Sequence, residues 1–231
     1  LTKGIVQTTS TNSLVLSSTA SSSSGSINSF ISGPLTKIGN TPFVFPIGKS
    51  SKWARLGITA PSIATNQLTA EYFKTQYTNT ISVNAPLTNV STKEYWTLSE
   101  STTGDPVQVS LYWESASFSG IQTFDNTLRV AHWNGTKWDD IGQVSISGGS
   151  TGYVTSSLIG SFSPFTFGSY SKTLNPLPIE LLSFTATPNG NKVDVNWQTA
   201  TETNNQYFTV ERSDDAVNFE PLKVVNGAGN S

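Results

Sequence analysis

The chain has 231 residues, 13 lysines and arginines against 15 acidic residues, a net charge of −2, no cysteine and a single histidine. No basic block is present to neutralise phosphates, which excludes a nucleic-acid surface, and without cysteine neither a disulfide framework nor a thiolate metal site can form. No apolar run approaches the roughly 18 residues of a membrane-spanning helix, while 11% aromatic and only 12% charged residues leave ample apolar surface to bury.

In chain order, the first 30 residues hold Ile5 and Leu14-Val15-Leu16 as short strand candidates between polar turns. The pattern looks like the last rung of a β-solenoid, and a single rung cannot bury its own face without neighbours or a cap. An extended linker is the alternative. Residues 21–26 are a Ser-rich, low-complexity loop. Beyond Phe30, Gly33-Pro34, Gly39-Asn40 and Gly48-Lys49 mark turns, and Phe43-Val44-Phe45 is a strand stopped by Pro46. Gly48-Lys49-Ser50 matches the end of a phosphate-binding loop. Phe43 stands where that loop needs its first glycine and no helix follows, so the motif is rejected.

Leu68, Ala70 and Tyr72 then alternate with Thr69, Glu71 and Phe73, and Val107, Val109 and Leu111 with Gln108, Ser110 and Tyr112. A period of two means strands with one buried face. Between them, residues 90–98 carry Tyr95 and Trp96. Leu128, Val130 and His132 share a face opposite Arg129, Ala131 and Trp133. Asn134-Gly135 is a hairpin turn that sets Trp133 against Trp138. Short strands are expected again at 144–147, 152–156 and 162–168. About nine to eleven strands between Ile31 and Tyr170 suit one antiparallel sandwich of jelly-roll type.

Residues 174–178 (LNPLP) form a Pro-rich joint. After it, Leu182, Phe184 and Ala186 alternate with polar residues up to the turn signal Asn189-Gly190, and Val193, Val195 and Trp197 alternate after it. Beyond a polar loop, Phe208 and Val210 share a face. The stretch 175–231, with "LPIELLSFTATPNGNKVDVNWQTATETNNQYFTVERSDDAVNFEPL", closely resembles the fibronectin type III-like module near the C-terminus of many large surface and secreted proteins of Bacteroidetes bacteria. The phrase "SGPLTKIGNTPFVFPIGK" resembles a segment found upstream of that module in the same proteins. The resemblance implies export by the type IX secretion machinery through a C-terminal sorting domain that would lie beyond residue 231. Such a sandwich has about seven strands, and roughly four are legible here, so the expected organisation is a solenoid-like end or linker at 1–30, a sandwich at 31–171, a linker at 172–178 and an incomplete fibronectin-like domain at 179–231. The lack of methionine and of a signal peptide at Leu1 points the same way, to a piece of a longer chain.

Chemistry is sparse. His132 has no second histidine or cysteine to work with, which removes triad and zinc arrangements. Glu94, Glu100, Glu114, Asp139 and Asp140 are candidate carboxylates for glycoside cleavage, but no spacing singles out a pair. Asp139 and Asp140, beside a turn, are the candidate calcium ligands, as is the Asp214-Asp215 pair to a lesser degree; no calcium-loop motif accompanies either. Trp53, Trp133 and Trp138 are the candidate sugar-stacking residues, with Trp96, Trp113 and Trp197 assigned to cores. Two functions follow as expectations. The first is a non-catalytic stalk or spacer of a large extracellular protein, cell-surface or secreted. The alternative is a carbohydrate-binding module that anchors an exoenzyme or adhesin to polysaccharide.

Overall fold

Alternation decides the longest strands of the first unit. Leu68, Ala70 and Tyr72 of β9 (Gln67–Phe73) and Val107, Val109, Leu111 and Trp113 of β12 (Val107–Trp113) all point inward and are buried. The computed structural model describes residues 3–162, 164–177, 181–199, 205–215 and 218–229. It is an all-β sandwich fold, 50% strand and 2% helix, and the chain divides into two units, Leu1–Pro178 and Ile179–Ser231.

The described residues of the first unit form three sheets. The largest runs β14 (Trp138–Asp140), β13 (Leu128–Trp133), β17 (Phe165–Ser169), β11 (Tyr95–Glu100), β9, β4 (Leu35–Ile38) and β2 (Leu14–Leu16), with the short β10 (Asn89–Val90) also paired to β17. Facing it is a sheet of β15 (Ser145–Gly148), β16 (Gly152–Ile159), β12, β8 (Leu56–Ile58) and β5 (Phe43–Phe45). Their inner residues form one core, in which Trp96 and Trp113 each make a T-shaped contact with Phe167, at 5.3 and 6.0 Å between ring centres. Both tryptophans are buried as their strand phase requires, and Trp96 satisfies its ring N–H on the Ala54 carbonyl at 3.2 Å.

The third sheet runs β1 (Gly4–Gln7), β3 (Ser29–Ser32), β6 (Ile47–Lys49) and β7 (Lys52–Trp53). Three of its strands pair in parallel, Gly4 to Gln7 in register on Ser29 to Ser32 and Ile31 on Ile47, while β7 closes the sheet antiparallel on β6. In the large sheet Leu14 to Leu16 lie parallel on Leu35 to Lys37. β1 and β2 are therefore built into two sheets of the first unit. Buried Lys37 holds the turn after β2, donating from Nζ to the carbonyls of Ser17, Ser18 and Ile38. Strands are more numerous and shorter than the sequence suggests: 43–58 forms four pieces of two or three residues, broken at Pro46, at Ser50-Ser51 with φ of 46° and 57°, and at Ala54-Arg55. One helical turn, α1 (Ala116–Ser119), is capped by the Ser115 hydroxyl and ends on Gly120 at φ 70°.

The second unit is two hairpins: β18 (Leu181–Asn189) with β19 (Lys192–Thr199), and β20 (Asn205–Arg212) with β21 (Glu220–Gly229). Asn189 pairs with Lys192, so the turn sits on Gly190-Asn191 with Gly190 at φ 61°. Trp197 meets Phe208 edge-on at 5.4 Å and is only half-buried. Phe184 (57% exposed) and Leu222 (57%) line an open cleft of about 930 Å³ between the hairpins, the state expected of half a sandwich. Asn175 and Leu177, in the stretch expected as a linker, are buried in the first unit instead; Pro178, the entry at 179–180, the side chain of Leu182 and the polar loop at 200–204 lie outside the described residues.

Candidate functional site

The outer face of the large sheet carries the sequence-predicted residues Trp133, Trp138 and Asp140, and Asp139, between the last two, has the opposite phase, that of His132. Residues 74–91 cross this face as a strap. Trp138 pins it: its backbone N–H donates to Ser82 at 2.9 Å, its carbonyl accepts from Asn84 at 2.8 Å, and its indole N–H donates to the Asn79 carbonyl at 2.6 Å. Leu87, Val90, Ala131 and Trp138 make a second small core there. Gly168 permits the approach, since a Cβ at that position would sit 2.9 Å from Leu87 and 3.0 Å from the Ala131 methyl.

This overturns the expectation of Trp138 as a sugar platform: its ring is fully buried and presents no face to solvent. Trp133 does pair with Trp138 across the hairpin, ring edge to ring face at 5.5 Å. It remains half-exposed at the start of an aromatic row. Tyr77 meets Trp133, Trp138 and Tyr95 at 5.3 to 5.4 Å, and Tyr95 stacks on Phe73 at 4.6 Å with rings 4° from parallel. Phe73, Tyr95 and Trp133 occupy the outward phase of β9, β11 and β13, all partly exposed.

Trp53 is elsewhere, in β7. The Arg55 guanidinium lies 4.5 Å over its ring and 4.2 Å over Tyr112, while Arg55 grips Glu114 with two bonds of 2.5 and 3.2 Å. One face of Trp53 is therefore covered by a cation, and its N–H is bound to the Ser24 carbonyl at 3.1 Å.

Asp139 and Asp140 do not converge. Asp139 accepts from the amides of Asn84 at 2.5 Å and Asn134 at 2.9 Å. Asp140 accepts two bonds from Arg129 at 3.1 and 3.2 Å, one from Gly142 N–H at 2.9 Å, and one from the Tyr170 hydroxyl. Burial would raise the Asp140 pKa; the Arg129 charge and these hydrogen bonds outweigh it and bring it below the usual carboxylate value. Neighbouring strand positions face opposite ways, which is why two adjacent aspartates serve two separate networks. Among the described residues no group of three or more His, Asp or Glu side chains is gathered as a metal would need. Asp215 accepts from Ser213 and Asn218. His132 is buried against Phe165 at 5.0 Å, and burial lowers its pKa despite the pull of Asp139.

Burial decides the environment of Glu94. It is fully buried between the large sheet and α1, accepting from the Tyr72 hydroxyl at 2.8 Å and from the Ser119 hydroxyl. Burial raises its pKa, opposed by those hydrogen bonds and by Lys52. Lys52 itself rests its ammonium 3.9 Å from the Phe118 ring. The sequence carried a signal for this: Glu94 has the same parity as Trp96 and Leu98, so the strand phase aims it inward. The other two glutamates considered for glycoside cleavage are occupied, Glu114 by Arg55 and Glu100 by the N–H of Gly104 at 2.9 Å and the amide of Asn66 at 3.5 Å. The side chains that the sequence singles out thus serve an aromatic row, an arginine sandwich and a buried acid.

No helix of the described residues is long and apolar enough to cross a membrane. No family model matches the chain, and no curated protein or solved structure matches it either.

Proposed function

We propose that the chain is a non-catalytic structural segment, a stalk or spacer, of a large extracellular protein exported by type IX secretion. The observation that carries this is the two-sided burial of the large sheet. One face meets the sandwich core, and the other is strapped down by residues 74–91 around Trp138. Such a sheet is stiffened on both faces by apolar burial, at about 25 cal/mol per Å², without disulfide or metal. Arg55, Arg129, Asp139, Asp140 and Glu114 are engaged in bonds within the fold. Export is supported by the resemblance of 175–231 to the fibronectin-like module, and by the two hairpins that this stretch forms. Mass-spectrometric mapping of the native polypeptide in fractionated cells tests it. Recovery from the surface or medium is expected; recovery from the cytoplasm alone would refute the reading.

A second reading, a carbohydrate-binding module, is favoured by one observation, the partly exposed row Phe73, Tyr95, Tyr77 and Trp133. A sugar ring would stack there and not on Trp138. Polysaccharide binding lost in Tyr95→Ala would support it, and no binding on a broad glycan panel would remove it.

A further inference from the structure

The two parallel edges at the start of the chain carry a consequence for what lies against them. β1 is the outermost strand of its sheet and β2 of the large sheet. Both are stacked in register on later strands, β1 on β3 and β2 on β4, as one two-strand rung on the next. The corners stack as well: the Thr8 hydroxyl donates to the Pro34 carbonyl at 2.8 Å, and a Cβ on Gly33, at φ 127°, would sit 2.2 Å from the Thr8 carbonyl oxygen.

The free side of β1 can be read from its bonds. Gly4 and Thr8 donate their N–H groups inward, to Asn28 and Ser32 at 2.9 and 3.1 Å. Alternation then turns the N–H and C=O of Ile5 and Gln7 outward, to the edge. Edge strands are ordinarily protected by charges, proline or bulges. Gly-Ile-Val-Gln and Leu-Val-Leu have none of these, and Ile5 (43%), Leu14 (36%) and Val15 (48%) are exposed along them. Beside β2, a space of about 430 Å³ lined by Leu14, Leu16, Phe30, Ile31 and Leu35 is left unfilled.

We propose that the β1 and β2 edges are a docking face for one further parallel β-solenoid rung, two short strands joined by a corner, lying N-terminal to β1 in the same polypeptide. Direction and order come from the fold. In this sheet the sequence advances from β1 through β3 to β6 with each step parallel, so the next neighbour outward precedes β1 and runs parallel to it. The first strand of that rung bonds the Ile5 and Gln7 groups and covers Ile5, and its second strand, beside β2, covers Val15. The inference deepens the scaffold reading and rests on it, making the first unit the C-terminal cap of a solenoid.

The test adds a rung. A second copy of residues 4–28 is placed directly ahead of Gly4, and amide hydrogen exchange is compared with the parent chain. The Ile5 and Gln7 amides of the original rung are expected to slow by at least roughly tenfold, with a higher melting temperature. In a second variant, Ile5→Pro in the original rung, the parent melts unchanged because that N–H is unbonded, and the added rung no longer stabilises. Unaltered exchange at Ile5 and Gln7 in the extended chain would overturn the proposal. So would concentration-dependent protection of the same amides in the parent, which would mean that a second copy covers the edge. Failure of the scaffold reading registers elsewhere, as glycan binding or a cytoplasmic location.

Discussion

The Tyr72 hydroxyl donates to a Glu94 carboxylate oxygen at 2.8 Å inside the first unit, where the side chains of both residues are shielded from water. The pair ties β9 to the loop before β11, and the second oxygen of Glu94 ties both to α1 through Ser119. Tyr72 is held well above the usual phenol value by burial first and by the Glu94 charge and hydrogen bond after it.

Glu94 therefore sets a pH dependence. Its folded pKa is raised above the ordinary 4.5 by burial, so between the unfolded and folded values the native state holds the extra proton. Stability falls as pH rises through that window. Glu94→Gln keeps a group able to bond both hydroxyls and removes the ionisation. The substitution is expected to raise stability at neutral pH and to have little effect at acid pH. Urea midpoints on both sides of the window check it.

The acid limb has other owners. Asp105 is buried, which alone would raise its pKa, but the N–H groups of Ser62 and Ile63 and the Asn66 amide lower it. Asp140 behaves in the same way. Depressed carboxyls contribute stability above their unfolded pKa and lose it as pH falls through the folded one. His132, lowered below 6.5 by burial, adds a loss as pH falls through its unfolded value. Asp105→Asn is expected to flatten the acid limb of a melting-temperature profile, with a lower plateau at neutral pH.

Trp138 is the pin of the strap. Trp138→Ala is expected to destabilise by about 3–5 kcal/mol, the range for a large buried aromatic. Trp138→Phe keeps most of the volume and loses the bond to Asn79, at a cost of about 1–3 kcal/mol. Hydrogen exchange should localise the loss to residues 74–91, and uniform loosening of the whole unit would argue against a strap that opens locally.

Arg55 and Glu114 form a largely buried pair, with side chains 19% and 10% exposed. Arg55→Met leaves Glu114 unpaired and is expected to cost about 3–5 kcal/mol, much of it recovered when Glu114→Leu is added. A double-mutant cycle measures the coupling. Because Asp139 and Asp140 belong to separate internal networks, added calcium is expected to leave the melting temperature unchanged; a rise abolished by Asp139→Asn would restore the calcium expectation.

Much of this fold is written in period-two alternation. The inward faces of β9, β11, β12 and β13, the Trp133–Trp138 pairing and the two hairpins after Pro178 follow from it directly. Its limits are physical. A hairpin tryptophan looks alike whether its outer face is bare or strapped, because the strap comes from residues some 50–60 positions away, at Asn79, Ser82 and Asn84. Adjacent aspartates look like a metal site until strand geometry sends them apart. Two- and three-residue strands such as β7 and β10 are too short for any period to emerge. Glu94 was legible by its parity, and only the fold shows that Ser119 and Tyr72 meet it.

Affinity electrophoresis of the intact chain through a panel of polysaccharides, alongside Tyr95→Ala and Trp133→Ala, most directly separates scaffold from ligand-binding module. The scaffold account expects no retardation by any polysaccharide and identical migration of all three proteins. Retardation of the native chain that disappears with Tyr95→Ala or Trp133→Ala, both still folded, would contradict it.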